Sequence, residues 1–122
     1  MREIKRLSYL VLILLIASSC EYEYYTPEPS TVDPEVVVSF NTEIVPIFEG
    51  KCVACHDGSS VFSLKADKAY ENIINKNLVN LESPEESVII TKLGVGNHSQ
   101  YTYTATESDL ILFWIKQGAE NN

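Results

Sequence analysis

The amino-acid sequence predicts an all-α protein with one small folded domain. Apolar residues recur at helical spacing in four segments of the chain. No segment has the alternating pattern or the turn signals that indicate strands and hairpins, and no internal repeat is evident. The length of 122 residues corresponds to a single domain.

The first two predicted helices cover about residues 41–50 and about residues 66–75. Asn41 or Thr42 can cap the first helix. Pro46 must lie near its first turn, because a proline deeper in the helix would kink it. The predicted apolar faces are formed by Ile44, Ile47 and Phe48 in the first helix, and by Tyr70, Ile73 and Ile74 in the second.

The last two predicted helices have clearer start and stop signals. The third opens at residues 83–86, SPEE, which have the pattern of a capping box with proline at the first helical position. The fourth starts with Thr106 as its cap and stops at Gly118. Their predicted apolar faces are formed by Val88, Ile89 and Leu93, and by Leu110, Phe113, Trp114 and Ile115.

Residues 1–19 are predicted to be an export signal and not part of the fold. Basic residues are followed by an apolar run over residues 7–16 and by small residues at 17–19. The run is about half as long as a membrane-spanning helix, and a short uncleaved anchor is the alternative. The ending at residues 16–20, IASSC, resembles the lipobox of bacterial lipoproteins. This resemblance implies cleavage before Cys20 and lipidation of that residue.

Residues 20–39 are predicted to be the lipidated cysteine and a tether. Residues 21–35 contain three prolines and five acidic residues but no basic residue, a composition that does not form a packed core. The folded domain is then expected over residues 40–122. The predicted location is the bacterial cell envelope, with the domain attached to a membrane by its lipid and facing either the periplasm or the outside.

The chain is acidic, with a formal net charge of −8. Such a chain has no basic surface to neutralise phosphates, which excludes nucleic acid as a partner. It favours instead protein partners with a basic docking surface, bound in a salt-sensitive manner.

Cys52, Cys55 and His56 form a C-x-x-C-H motif within the stretch KCVACHDG. This spacing is typical of c-type haem attachment. The two cysteines can bond to the vinyl groups on one edge of a porphyrin, and the next residue can place its imidazole under the iron. A redox dithiol is the main alternative, although such dithiols lie in a βαβ setting. A zinc site would need further ligands, and His98 is the only histidine outside the motif.

Three blocks of the sequence carry a further resemblance: residues 44–48 with the C-x-x-C-H motif, residues 83–87 with 92–93, and residues 114–122. Together they resemble small bacterial cytochrome c domains over residues 40–122. The resemblance implies a cytochrome c-like fold of about four short helices around one covalently attached haem c. It also implies that the first and last helices cross beside the haem, with Trp114 in that crossing or against the ring.

The iron ligand opposite His56 is left open by the sequence. Cytochromes c normally use methionine there, but the only methionine is Met1, within the predicted signal. His98 lies in a glycine-bearing loop and is a candidate, because imidazole is a favoured iron ligand. An iron that is open or binds water is the alternative, as is ligation by one of the other nearby polar residues: Lys92, Tyr101 or Tyr103.

The expected function is electron transfer by a membrane-anchored mono-haem c-type cytochrome, acting with redox partner proteins. No catalytic constellation is visible in the sequence, so a carrier is expected and not an enzyme. A haem domain that binds or senses small ligands at an open iron is the second hypothesis. A C-x-x-C redox lipoprotein without haem is the third.

Overall fold

The structure is a computed structural model that describes residues 1–2, 4–6 and 29–122. The apolar run of the predicted signal, the predicted lipidation site Cys20 and the first part of the predicted tether lie outside the described residues. Within the described ranges, no helix has both the length and the apolar character that crossing a bilayer requires.

The described part of the chain is helical and contains no strand, which confirms the all-α class. In chain order, the elements are a π-helical turn (Phe40–Ile44), α1 (Val45–Lys51), α2 (Ala69–Asn75), a 3₁₀ turn (Pro84–Glu86), α3 (Val88–Thr91), a second 3₁₀ turn (Gly96–His98) and α4 (Ala105–Lys116). The predicted second helix therefore begins three residues later than expected, and the predicted third helix is divided in two.

The first helical segment is capped by Ser39, not by the predicted Asn41 or Thr42. The Ser39 hydroxyl accepts a hydrogen bond from the Thr42 backbone N–H at 3.3 Å, and the Ser39 N–H donates to the Glu43 carboxylate at 2.7 Å. Pro46 lies in the first turn of α1, as predicted, and α1 follows directly on the π-helical turn that ends at Ile44.

The predicted capping box at Ser83 is absent, and this prediction was wrong. The Ser83 side chain caps nothing, and its backbone N–H already donates to the Asn80 side chain at 3.1 Å. A capping box needs that N–H for the glutamate at the third helical position. The segment therefore forms only a 3₁₀ turn, and α3 starts separately after the buried Ser87.

The last helix starts two residues earlier than predicted and ends where predicted. Thr104, not Thr106, is the cap, and it forms a reciprocal capping box with Glu107. At the other end, Gly118 adopts a φ of +104°, which glycine tolerates best. The Ala119 N–H donates to the Trp114 carbonyl at 2.9 Å and the Gly118 N–H to the Ile115 carbonyl at 3.0 Å, so α4 ends in a Schellman motif.

The core is centred where the first helical segment crosses α4. The Phe40 ring lies 5.0 Å from the Trp114 ring, 5.3 Å from the Tyr70 ring and 6.4 Å from the Phe48 ring, measured between centroids. The Trp114 indole N–H donates to the Glu120 carbonyl at 2.8 Å. Trp114 therefore packs in the crossing, which is the first of the two places that the resemblance allows.

Three predicted core faces need correction. On α3, Ile89 is buried but Val88 is 43% exposed. On α2, Ile73 is fully buried but Ile74 is 41% exposed, so the predicted face is displaced by part of a turn. On α4, Ile111 is fully buried although it was not part of the predicted face, whereas Leu110 and Phe113 are only partly buried at the edge of the core.

Side chains from the last residues hold the chain that enters the domain. The Val38 N–H donates to the Gln117 side-chain oxygen at 2.9 Å, and the Gln117 amide donates to the Val36 carbonyl at 2.9 Å. The Asn122 side-chain oxygen accepts from the Phe40 N–H at 2.7 Å. These bonds fix the position of the first helical segment, which carries the C-x-x-C-H motif on its C-terminal side.

Candidate functional site

Cys52, Cys55 and His56 follow α1 directly in a tight backbone turn. The Cys52 N–H still donates to the Phe48 carbonyl at 2.7 Å, as in a helix. The Cys52 carbonyl then accepts from the N–H groups of Cys55 at 3.1 Å and His56 at 2.8 Å. This turn keeps the three side chains together, and all three line the same pocket.

A short loop after His56 returns the chain to the pocket wall. The Leu64 N–H donates to the His56 carbonyl at 2.8 Å, which closes the loop. Asp57 holds its first turn by accepting from the Ser59 hydroxyl and N–H, and these bonds lower the pKa of the Asp57 carboxyl. At Gly58 a Cβ would lie 3.3 Å from the Ser63 Cβ, with φ at +94°, so a larger residue would strain the loop.

The loop fixes the orientation of the His56 ring. The His56 Nδ1 lies 3.2 Å from the Phe62 carbonyl oxygen. A carbonyl oxygen can only accept, so Nδ1 is the donor of this hydrogen bond, and Nε2 is the ring nitrogen that remains for a metal. The Phe62 ring also lies against the imidazole, with centroids 4.5 Å apart. An imidazole held in this way is suited to bind a metal through Nε2.

The pocket has a volume of about 660 Å³, within the roughly 300–1,000 Å³ that is usual for cofactor sites. Much of its wall is apolar, formed by Phe48, Phe62, Leu64, Leu78, Ile89 and Leu93. Val61 and Val88 also line it and are 45% and 43% exposed. A large apolar group in the pocket would cover these side chains, so the walls fit a porphyrin.

His98 is brought close to His56 by the loop before α4. The centroids of the two imidazole rings are 6.1 Å apart, and their planes differ by 22°. The His98 Nδ1 is buried and has no hydrogen-bond partner among the described residues. The sequence predicts His98 as a candidate ligand, and the structure places it in the same pocket as the C-x-x-C-H motif.

The other polar candidates also line the pocket, but one of them is already engaged. The Tyr103 hydroxyl donates to the Ile89 carbonyl at 3.2 Å, and burial raises the pKa of Tyr103 above its ordinary value. Its phenolate, the form that binds iron, is therefore disfavoured. Lys92 is exposed and Tyr101 is half-buried.

A partly buried ion pair lies beside Cys52. The Lys51 ammonium is 2.9 Å from the Glu107 carboxylate and donates to the Thr102 carbonyl at 3.0 Å. Burial alone would raise the pKa of Glu107, but hydrogen bonds from Thr104 and Lys51 outweigh it and hold that pKa below its usual range. The pair joins α1 to the start of α4 at the rim of the pocket.

Cys52 does not have the environment of the attacking thiol in a redox dithiol. Burial raises the pKa of its thiol to about 11, whereas redox-active cysteines have a lowered pKa. Cys55 is exposed, and both thiols are free. The zinc alternative is disfavoured as well, because no three His, Cys, Asp or Glu side chains within the described ranges converge as metal ligands.

The sequence does not indicate the Phe62 carbonyl as a partner of His56. A backbone acceptor has no signal in residue type, so only the fold reveals it.

Comparison with known proteins finds no matching family model, no matching curated protein and no matching solved structure.

Proposed function

We propose that this protein is a membrane-anchored mono-haem c-type cytochrome that transfers electrons. The observation that carries the proposal is the convergence of Cys52, Cys55 and His56 on one large pocket with apolar walls. In this proposal the two cysteines hold one haem c covalently through thioether bonds, and His56 binds its iron through Nε2.

The pocket residues provide binding and orientation. A bound haem would supply reversible one-electron chemistry at its iron. The hydrogen bond from the His56 Nδ1 to the Phe62 carbonyl holds the imidazole in one orientation and increases its basicity as a ligand. The apolar side chains around it, Phe48, Leu64 and Ile89 among them, exclude water and thereby favour the less charged, reduced form.

The helix arrangement supports a cytochrome c-like fold of about four short helices. The Phe48 ring lines the pocket and pairs with Phe40, which in turn packs on Trp114. The Phe48 side chain therefore lies between the pocket and the place where the first and last helical segments cross. A crossing this close to the pocket supports the relation between crossing and haem that the resemblance implies.

The proposed location is the bacterial cell envelope, with the chain lipidated at Cys20 and the domain held by the tether over residues 20–39. The net charge of −8 suits redox partners with a basic docking surface. The domain would accept an electron from one such partner and pass it to another.

The proposal is tested by exporting the full chain in a bacterium that matures c-type haem. We expect the membrane fraction to contain a haem-staining band on a denaturing gel and a haem spectrum that changes reversibly on reduction and oxidation. The double variant C52S/C55S should lose the stain. The matched control C20S should keep the stain but appear in the soluble fraction. A wild-type protein without covalent haem would contradict the proposal.

A further inference from the structure

The His98 ring nitrogen Nδ1 lacks a partner within the described ranges although it is buried. A buried polar atom that forms no hydrogen bond costs its full desolvation free energy, so native structures rarely leave one without a partner. The ring itself lines the same pocket as His56. Something that enters this pocket is therefore expected to bind the His98 side chain.

We propose that His98 is the second axial ligand of the iron, bound through its unpartnered Nδ1 on the side opposite His56. This inference rests on the proposed function, because it requires the haem. Metal–imidazole bonds are about 2 Å long, so two imidazoles that share one metal have centroids roughly 6 Å apart. The observed centroid separation of 6.1 Å between the His56 and His98 rings, which are stacked with their planes 22° apart, is of this size.

An ordinary aromatic pair is the competing explanation of the distance, because such pairs have centroids about 4.5–7 Å apart. Aromatic packing, however, provides no partner for a buried ring nitrogen. Axial ligation through Nδ1 would account for the separation from His56 and also for the buried His98 Nδ1, which has no protein partner among the described residues.

The backbone around His98 fixes the position of the ring. The Gly94 N–H donates to the carbonyls of His98 and Tyr101, both at 3.0 Å, and the His98 N–H donates to the Val95 carbonyl at 3.0 Å. The imidazole is thus carried by a closed turn with its own internal hydrogen bonds. Of the competing side chains, Tyr103 is committed to the Ile89 carbonyl, and Lys92 is exposed.

Two histidine ligands would define the chemistry of the site. With both axial positions filled by the protein, small ligands such as carbon monoxide would find no open position on the iron. The reduction potential would be lower than with the histidine–methionine pair, because methionine raises it. This ligand set fits an electron carrier and not the ligand-sensing hypothesis.

The test compares the haem-loaded full chain with the variants H98A and S99A. Ser99 lies in the same loop, is exposed and is not part of the pocket wall, so it is the matched control. Each protein is measured by electron paramagnetic resonance when oxidised, and by absorbance when reduced with and without carbon monoxide. In the wild type and in S99A we expect low-spin iron that does not bind carbon monoxide. In H98A we expect high-spin iron that binds carbon monoxide, and added imidazole should restore the low-spin signal.

High-spin iron in the wild type, or unchanged low-spin iron in H98A, would overturn the inference. In either case the covalent haem stain would persist. The result would then contradict the assignment of His98 as a ligand but not the proposed function. A wild-type protein with no covalent haem would overturn both.

A second variant covers the case in which H98A fails to accumulate. H98M retains a side chain that can bind iron, and we expect its midpoint potential to be higher than that of the wild type. An unchanged midpoint potential in H98M would show that residue 98 is not bound to the iron.

Discussion

At the scale of single residues, the two cysteines of the pocket have different environments. Cys52 is partly buried at the end of α1, and burial raises the pKa of its thiol to about 11 from an ordinary value of 9.0. Cys55 is exposed. The thiolate is the reactive form, so this difference can be measured as a difference in reaction rate.

We predict that in the haem-free chain Cys55 reacts with a thiol reagent well before Cys52 at pH 8. The single variants C52S and C55S isolate each thiol, and circular dichroism checks that both remain helical. The rate at Cys52 should keep rising until about pH 11, because its thiolate fraction does so. Equal rates at the two cysteines would contradict the buried environment of Cys52.

The same raised pKa predicts how the stability of the haem-free chain depends on pH. The folded state holds the thiol proton more tightly than the unfolded state, so this contribution is fully present below the ordinary pKa of 9.0 and is lost as the pH rises through about 11. Urea unfolding should therefore show a loss of stability over this range that C52A lacks. If C52A loses the same amount of stability over this pH range, the loss comes from other titrating groups.

At the scale of elements, the start of α4 depends on one hydroxyl. The variant T104A removes the capping box with Glu107, and we predict a loss of about 1 kcal/mol in the free energy of unfolding. T106A is the matched control, because Thr106 lies inside the helix and should lose much less. The comparison is made by urea denaturation, and a larger loss in T106A would show that the helix starts at the residue that the sequence favoured.

The end of α4 depends on a backbone conformation. Gly118 has a φ of +104°, and a Cβ at this position would have no neighbouring atom closer than 4.0 Å, so G118A would suffer from strain and not from a clash. We predict a loss of about 1 kcal/mol or more. In contrast, G50A should gain roughly 0.5–1 kcal/mol, because Gly50 lies in α1 and a Cβ there would have nothing within 4 Å. Urea denaturation measures both variants, and a gain in G118A would contradict the Schellman ending.

The sequence predicts element ends well where a local conformation requires a particular residue, as at Gly118. It fails where two similar residues compete, as with Thr104 and Thr106. Thr104 is the cap in the structure, and the preceding Tyr103 donates to the Ile89 carbonyl on α3, a tertiary contact that helical spacing does not show. The Ser83 capping box fails for a local reason, since Asn80, three residues earlier, takes the N–H that the box would use.

At the scale of the whole molecule, the net charge of −8 should govern encounters with partners. We predict that electron exchange with a small lysine-rich cytochrome slows as salt is added, because salt screens the attraction between opposite charges. Stopped-flow absorbance measures the second-order rate constant. A neutral small-molecule reductant is the control, and its rate should change little. A rate that rises with salt would contradict docking through an acidic surface.

The pocket could be predicted only in part from the sequence. The C-x-x-C-H spacing indicates Cys52, Cys55 and His56, because their relation is local. The approach of His98 to His56 joins positions 42 residues apart in the chain, so it depends on how α3 and α4 pack. The apolar walls are gathered from several segments of the domain, and helical spacing alone does not show which apolar residues face a cofactor.

The most direct test of the account is the intact mass of the exported wild-type chain, measured under denaturing conditions. The account predicts the mass of the polypeptide plus one haem, and the mass of the polypeptide alone for C52S/C55S. Non-covalent cofactors are lost under these conditions, so the shift reports the thioether bonds alone. A wild-type chain that carries no haem mass would contradict the central claim that Cys52, Cys55 and His56 form a c-type haem site.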